Sequence, residues 1–393
     1  MYTQSFTSAE LYLCATQTER RNSGLQKEKL TEAIRAELGN AITEGKYLFQ
    51  IKPYRDLYLN GQAKKTMAYL CQNLVLRKLH KNIKRIYEVQ QADRNIIVKQ
   101  MKLLLAENVD MRIIRLDVRH FYESINRERI LAKLTDDARL SYQSLTLLQS
   151  LFNDPAIAAG TGLPRGLGIS AVLSELYMKY FDLDFKKIAG VYYYARFVDD
   201  IIVFCSNEAS KELAWRYAGE ELSKIGLQLN EKKSYSLDPN QPGTEFTYLG
   251  YTFKKAGKNL SVTIAQKKLN VIKTRLTKTF VRYSKDHNFD LLKMRIKFLT
   301  GNFTLYNPHT LLPIKVGIYF NYKMANDVSA LKDLDAYYQR LLHCSTGRLG
   351  GAIVLTKPKV KELEKYSFDF GYHNHVNHHF TSDQMVNIAN CWR

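Results

Sequence analysis

The chain has 393 residues, with 58 Lys and Arg against 38 Asp and Glu and a formal charge of +20. An apolar fraction of 45% beside 24% charged residues excludes a wholly disordered chain, and at about 150 residues per domain two or three domains or subdomains are expected. Five scattered cysteines without a CxxC pair exclude a disulfide framework and a structural zinc site, and there is no run of about 18 apolar residues to cross a membrane, so a cytoplasmic protein is expected.

The N-terminal fifty residues are electrically neutral and carry apolar residues at helical spacing in LQKEKLTEAIRAELGNAI. Residues 51–100 hold 11 basic against 3 acidic side chains, and an Asp-capped amphipathic helix is expected from Asp93 onward. RIIRLDV (112–118) alternates as a short strand, and FYESINRERILAKL turns helical. Four glycines and a proline between Gly160 and Gly168 predict a loop, followed by a helix to about Ile188. VYYYARF and IIVFC read as two strands joined at Val198-Asp199-Asp200. A helix over 208–225 follows, and FTYLGYTF with SVTIA predicts another hairpin. Residues 251–300 hold 13 basic against 2 acidic side chains, and helical spacing begins at Gln266. Strands alternating with helices in this order predict an α+β fold with an antiparallel sheet. Two basic blocks around a near-neutral middle predict a polyanionic partner such as nucleic acid.

Acidic residues between apolar strands point to a site. If both strands belong to one sheet, Asp117 and Asp199 meet at its end and offer hard oxygen ligands suited to Mg²⁺, with an ordinary turn as the competing reading of Asp199-Asp200. His373, His375, His378 and His379 with Cys391 invite a metal reading, but their spacing fits no tetrahedral zinc pattern.

RLDVRHFYESI (115–125), GLPRGLGIS (162–170), YARFVDDIIVF (194–204), LQLNEKKS (227–234) and FTYLGYTF (246–253) resemble reverse-transcriptase motifs A to E in order. RIYEVQQADRNIIVKQ (85–100) resembles the fingers motif of group II intron and retron enzymes. The resemblance implies a right-hand polymerase with fingers, a ferredoxin-like palm and a helical thumb. The implied boundaries are 1–110 for an N-terminal helical region and fingers, 111–255 for the palm with fingers elements interleaved near 126–165, 256–345 for the thumb, and 346–393 for a C-terminal tail. The implied activity is RNA-directed DNA polymerisation, a nucleotidyl transfer to a 3′-hydroxyl with two Mg²⁺ ions, Mn²⁺ being an alternative.

Carried over by residue, the resemblance implies that Asp117 and Asp199 hold the metal ions with the Val118 carbonyl, and that Asp200 assists. Tyr122 is implied as the steric gate against a ribose 2′-hydroxyl, hence deoxynucleotides as substrate. Arg165 stands where the family has Gln and could reach a phosphate, while Arg85 and Arg94 are candidates for gripping the triphosphate. Lys233 is implied as the acid for the leaving pyrophosphate, with Lys232 and a solvated lysine pair as competing readings. Phe246, Tyr248, Leu249 and Gly250 match the primer grip. Leu163-Pro164-Arg165-Gly166 and Phe197-Val198 depart from the family's usual forms and resemble bacterial defence-associated enzymes of the unknown-group, abortive-infection-like type. That resemblance implies antiviral defence, an RNA template that could be a dedicated noncoding RNA, and a DNA product or primer. A second reverse transcriptase, an accessory protein or a second copy of the chain are further candidate partners. Protein-primed or template-independent synthesis and a silent nucleic-acid scaffold are the alternatives.

Overall fold

The computed structural model describes residues 3–51, 66–107, 109–257, 259–306 and 313–392. They form two compact units, one of residues 1–97 and 110–238, the other of 98–109 and 239–393.

The first unit is built on a four-stranded antiparallel sheet in the order β2-β3-β1-β4. Its strands are β1 (Arg112–Asp117), β2 (Val191–Phe197), β3 (Asp200–Cys205) and β4 (Tyr235–Leu237). β1 pairs with β3 so that Asp117 lies directly opposite Asp200 and Leu116 opposite Ile201. Because side chains alternate across a sheet, this register sorts the two strands into faces. Ile114, Leu116, Ile201, Val203 and Cys205 join the main core, which includes Leu173 and Leu176 of the helix Gly168–Phe185 and Ala214 and Ala218 of the helix Glu208–Lys224. Arg115, Asp117 and Asp200 share the opposite face with Ile113, Ile202 and Phe204. A one-residue slip would exchange the faces and bury the charges in the core.

The helix Met67–Ile86 packs beside Gly168–Phe185 and carries Leu74, Val75, Leu79 and Ile83 on its buried side. Thr66 caps its start by accepting from the Tyr69 amide. The N-terminal region is tied to it by charge. Arg77 donates two parallel bonds, Nη1 to Glu19 Oε2 at 2.6 Å and Nη2 to Glu19 Oε1 at 2.7 Å, while Lys78 Nζ reaches Glu10 Oε2 at 2.8 Å. The expected strands at 112–118, 191–197 and 201–205 and the helices around 169–188 and 208–225 are all present, within a few residues of the expected ends. β4 was not anticipated, because Tyr235-Ser236-Leu237 is too short to display a period and becomes a strand only through its pairing with β1.

The second unit contains the meander β5 (Glu245–Tyr248), β6 (Tyr251–Ala256) and β7 (Asn259–Ile264). FTYLGYTF is thus itself a hairpin, with SVTIA supplying the third strand. The long helix Gln266–Asp286 buries Leu269, Ile272, Leu276, Phe280 and Tyr283, the stripe expected from the sequence. The segment after it, where helical spacing was expected, is helical with one strand pair in addition. β8 (Asn302–Tyr306) and β9 (Pro313–Gly317) form an antiparallel pair there, and Gly317, at φ 123°, sits where a Cβ would strike the Asn302 backbone. The C-terminal residues are packed rather than trailing: Trp392 Nε1 donates to Arg275 O and Thr279 Oγ1, both at 3.0 Å. All five cysteines are free. No helix among the described residues is long and apolar enough to cross a membrane.

Burial works against ionisation of Glu19, but the hydrogen bond and charge of Arg77, with the Thr16 amide, outweigh it and hold the carboxyl below its ordinary 4.5. A depressed folded-state value stabilises the fold above the ordinary value, and the contribution is lost as pH falls through the folded one. Glu19→Gln should therefore cost about 2 kcal/mol in urea unfolding at pH 7, between an exposed and a buried pair. The difference should shrink steadily below pH 4.5; a constant difference down to acid pH would contradict the pairing.

Candidate active site

β2 and β3 pair through Phe197 opposite Asp200, which leaves a two-residue turn of Val198 and Asp199. Val198 adopts φ +61°, while Asp199 does not share the positive sign. A β-branched residue in this region is strained by about 1–3 kcal/mol, and a glycine usually occupies it in such a turn. The turn hands the Asp199 carbonyl to the Val118 amide at 3.1 Å. Asp117, Asp199 and Asp200 are therefore gathered at one end of the sheet by strand register plus turn length.

Each carboxylate has a different surrounding. Asp117, 5% exposed, accepts from Asn230 Nδ2 at 3.0 Å and from Lys233 Nζ at 3.2 and 3.3 Å. Its backbone is held by the same segment, with the Asn230 amide donating to Asp117 O at 2.7 Å and Ser234 Oγ accepting from the Asp117 amide at 3.1 Å. Asp200 accepts from Arg115 Nη2 at 3.0 Å. Burial pushes the Asp199 carboxyl above its ordinary 3.8, the charges of Asp200 and Asp117 push the same way, and Lys233 opposes them. Both lysines are exposed, and the one that reaches Asp117 is Lys233.

Tyr122 is half-buried in the short helix Phe121–Ser124, edge-on to the buried Phe121 ring at 5.4 Å. Burial raises its phenol, a hydrogen bond with Ser174 lowers it, and the charges of Glu175 and Asp199 raise it. The ring therefore lies beside Ser174 of the helix Gly168–Phe185 and within the field of Asp199. The Leu163 amide donates to Tyr122 O at 2.7 Å, and Gly162, at φ +62°, lies so close to that carbonyl that a Cβ could not fit. Arg165 stands over the Tyr122 ring, 5.7 Å from its centroid, and donates Nη2 to Glu123 Oε2 at 3.0 Å and Nε to Glu123 Oε1.

The other expected residues belong to other elements. Arg85 is exposed in the last turn of Met67–Ile86, and half-buried Arg94 opens the helix Arg94–Ala106. In the second unit, Phe246 and Tyr248 are buried, Phe246 stacking on Phe253 at 5.1 Å. Leu249 at φ +48° and Gly250 at φ +83° form the β5–β6 turn, so backbone rather than aromatic rings is presented there. His375 stacks on Tyr319 at 3.8 Å, and His373 reaches Asp369 at 3.5 Å.

Among the described residues, no group of three His, Cys, Asp or Glu side chains is arranged to hold an ion. Asp200 is turned to Arg115, which leaves Asp117 and Asp199 as a carboxylate pair. Two carboxylates fit Mg²⁺, which commonly takes one or two from protein and completes its shell with water and substrate phosphate oxygens. Sequence reasoning missed Asn230, Ser234, Arg115, Ser174 and Glu123, all polar partners that no spacing rule singles out. It also missed Arg196, whose buried bonds end on the Val198 carbonyl.

Residues 60–253 match the family model described as reverse transcriptase (RNA-dependent DNA polymerase). The right-hand polymerase fold of that family agrees with the helices and antiparallel sheets described above. No curated protein matches. Among solved structures, apo telomerase from Candida tropicalis truncated from its C-terminal domain is 14% identical with a TM-score of 0.38, covering 53% of this chain and 49% of that one. Telomerase from Candida albicans in complex with a TWJ fragment of telomeric RNA is 12% identical with a TM-score of 0.40, covering 86% and 55%. The chain spans about half the length of these structures.

A carboxyl whose folded value is raised stabilises the fold at low pH and loses that contribution as pH rises through the folded value. In metal-free buffer, Asp199→Asn should raise the melting temperature at pH 7, and the gain should fade below the ordinary 3.8. A melting temperature at or below that of the parent at pH 7 would refute this repulsion.

Proposed function

From the reverse transcriptase domain carried by residues 60–253, we propose that the chain is an RNA-directed DNA polymerase that adds deoxynucleotides to a 3′-hydroxyl. The observation that carries the reading is the β1–β3 register with its two-residue turn, which puts Asp117 and Asp199 beside each other inside the matched domain. Asp117 and Asp199, with the Val118 carbonyl, would hold Mg²⁺, or Mn²⁺ in its place, and Asp200 would lend its charge nearby. Two such ions supply activation of the attacking hydroxyl and neutralisation of the leaving pyrophosphate.

The chain's own side chains do the remaining work. Tyr122, packed against Phe121 and the core, excludes a 2′-hydroxyl by the volume of its ring. Lys233, beside Asp117, is within reach of the reacting end of the site and donates a proton to the leaving group. Arg165, Arg85 and Arg94 bind nucleotide or template phosphates. The turn of Leu249 and Gly250, backed by Phe246 and Tyr248, supports the primer through its backbone. Residues 1–110 would act as N-terminal region and fingers, 111–255 as palm, 256–345 as thumb and 346–393 as a C-terminal segment. The basic side chains around Gln266–Asp286 suit the phosphates of a template–primer duplex.

The departures Arg165 and Phe197-Val198 support a role in bacterial antiviral defence on an RNA template, a dedicated noncoding RNA being the candidate. A second reverse transcriptase, an accessory protein or a second copy would be partners in that setting, which would be cytoplasmic.

Purified chain with its co-purifying RNA should incorporate labelled deoxynucleotides with Mg²⁺, and Asp199→Ala with Asp200→Ala should reduce this to background. Unchanged synthesis in the double variant would remove these residues from the site, and synthesis that survives removal of RNA would point to template-independent extension. Tyr122→Ala should raise ribonucleotide relative to deoxynucleotide incorporation by roughly ten-fold or more, whereas Tyr122→Phe keeps the selection. An unchanged ratio in Tyr122→Ala would mean that the ring does not choose the sugar.

A further inference from the structure

Behind the turn that presents Asp199 lies a buried arginine that the proposed chemistry does not use. Arg196 opposes Ile201 across β2 and β3, so its side chain enters the helix-facing side of the sheet, and only 3% of it is exposed. Five donors is the full complement of a guanidinium, and all are engaged. Nε donates to Asp182 Oδ1 at 2.9 Å, and Nη2 donates to Asp182 Oδ2 at 2.7 Å and to Glu175 Oε2 at 2.6 Å. Nη1 donates to Glu175 Oε1 at 3.3 Å and to the carbonyl of Val198 at 3.1 Å. Tyr194 adds its hydroxyl to Asp182 Oδ1 at 2.6 Å.

Burial works against the charge of the guanidinium, but Asp182 and Glu175 outweigh it and hold Arg196 above its ordinary value. Both carboxylates belong to the helix Gly168–Phe185, in which Ser174, the neighbour of the Tyr122 phenol, immediately precedes Glu175, and the Tyr122 ring packs against the core that Leu173 and Leu176 of this helix enter. The one bond that Arg196 makes outside the two carboxylates goes to the carbonyl of a valine at φ +61°, a conformation it would not hold unaided.

We propose that Arg196 is a positioning residue that clamps the strained Phe197–Asp200 turn to the helix Gly168–Phe185, so that one rigid helix sets both the Asp199 carboxylate and the Tyr122 ring. The roles of Asp199 and Tyr122 rest on the function proposed above; the clamp itself does not. A metal-binding turn and a nucleotide-selecting ring fixed to the same helix keep a constant spacing when either is loaded, and the clamp replaces the glycine that such a turn otherwise needs.

The Val118 amide reports the clamp directly, because its acceptor is the Asp199 carbonyl at 3.1 Å. In the full chain, Arg196→Lys keeps the charge but not the fork. It should speed hydrogen–deuterium exchange in peptides covering Asp117–Phe121 by about ten-fold or more while peptides from Ile202–Cys205 keep their parent rate. Mn²⁺ binding without nucleotide, read by electron paramagnetic resonance, should weaken by about 10–100-fold, as for other residues that orient ligands. Should Arg196→Lys fail to fold, Glu175→Gln, which keeps the side-chain volume and both Asp182 bonds, must produce the same two changes at smaller size. Parent-like exchange at Asp117–Phe121, or parent-like Mn²⁺ affinity, in a folded variant overturns the proposal. A parent chain that binds no Mn²⁺ and incorporates no nucleotide would overturn the polymerase reading instead, and the exchange comparison would still decide the clamp.

Discussion

Like charges held together at the end of a sheet repel, and the structure around them is largely an answer to that repulsion. The register of β1 against β3 fixes Asp117 opposite Asp200, and the two-residue turn adds Asp199 beside them. Without counter-charge such a cluster would push its own strands apart or take up protons. Lys233 and Asn230 meet Asp117, and Arg115 meets Asp200. Asp199 is driven upward first by its burial and then by the charges of Asp200 and Asp117, with Lys233 opposing them. A site built to receive cations must retain some unmet negative charge, and here that remainder is concentrated on the residue at the tip of the turn.

The helix Gly168–Phe185 is the second support. Its apolar side enters the core with Leu173, Leu176 and Phe185, while Ser174, Glu175 and Asp182 face polar partners. Small and charged residues in a mostly apolar helix are costly unless satisfied. Each is satisfied by a group of the site or just behind it, which makes the helix both a core element and a ruler. The same economy governs Gly162, where lack of a Cβ lets the loop bind the Tyr122 carbonyl. The overall charge follows a similar division: residues 51–100 and 251–300 carry the basic excess, and the segment between them, which contains the carboxylates, is close to neutral.

Much of this was legible because it is local. β-branched alternation in RIIRLD and IIVFC, glycines between 160 and 168, and the apolar stripe of Gln266–Asp286 each reveal an element without reference to any other. The carboxylates stood out because acids are anomalous between apolar runs. β4, β8 and β9 escaped notice since three to five residues carry no reliable period, and pairing alone makes them strands. Glu123 carried no legible role, because its partner Arg165 stands 42 residues away.

The amino-acid sequence by itself determined the residue types, their order and the chemistry they permit: hard oxygen ligands near strand ends, an aromatic ring five residues after Asp117, and cations placed apart from both. Only the tertiary structure decided which charges meet. Lys233 rather than Lys232 reaches Asp117 across 116 residues of chain, and Ser174, Arg115 and Arg196 take partners that no spacing rule could name. The physical reason is that polar pairing depends on distances of about 3 Å between side chains brought together by strand register and helix packing, which local periodicity does not encode.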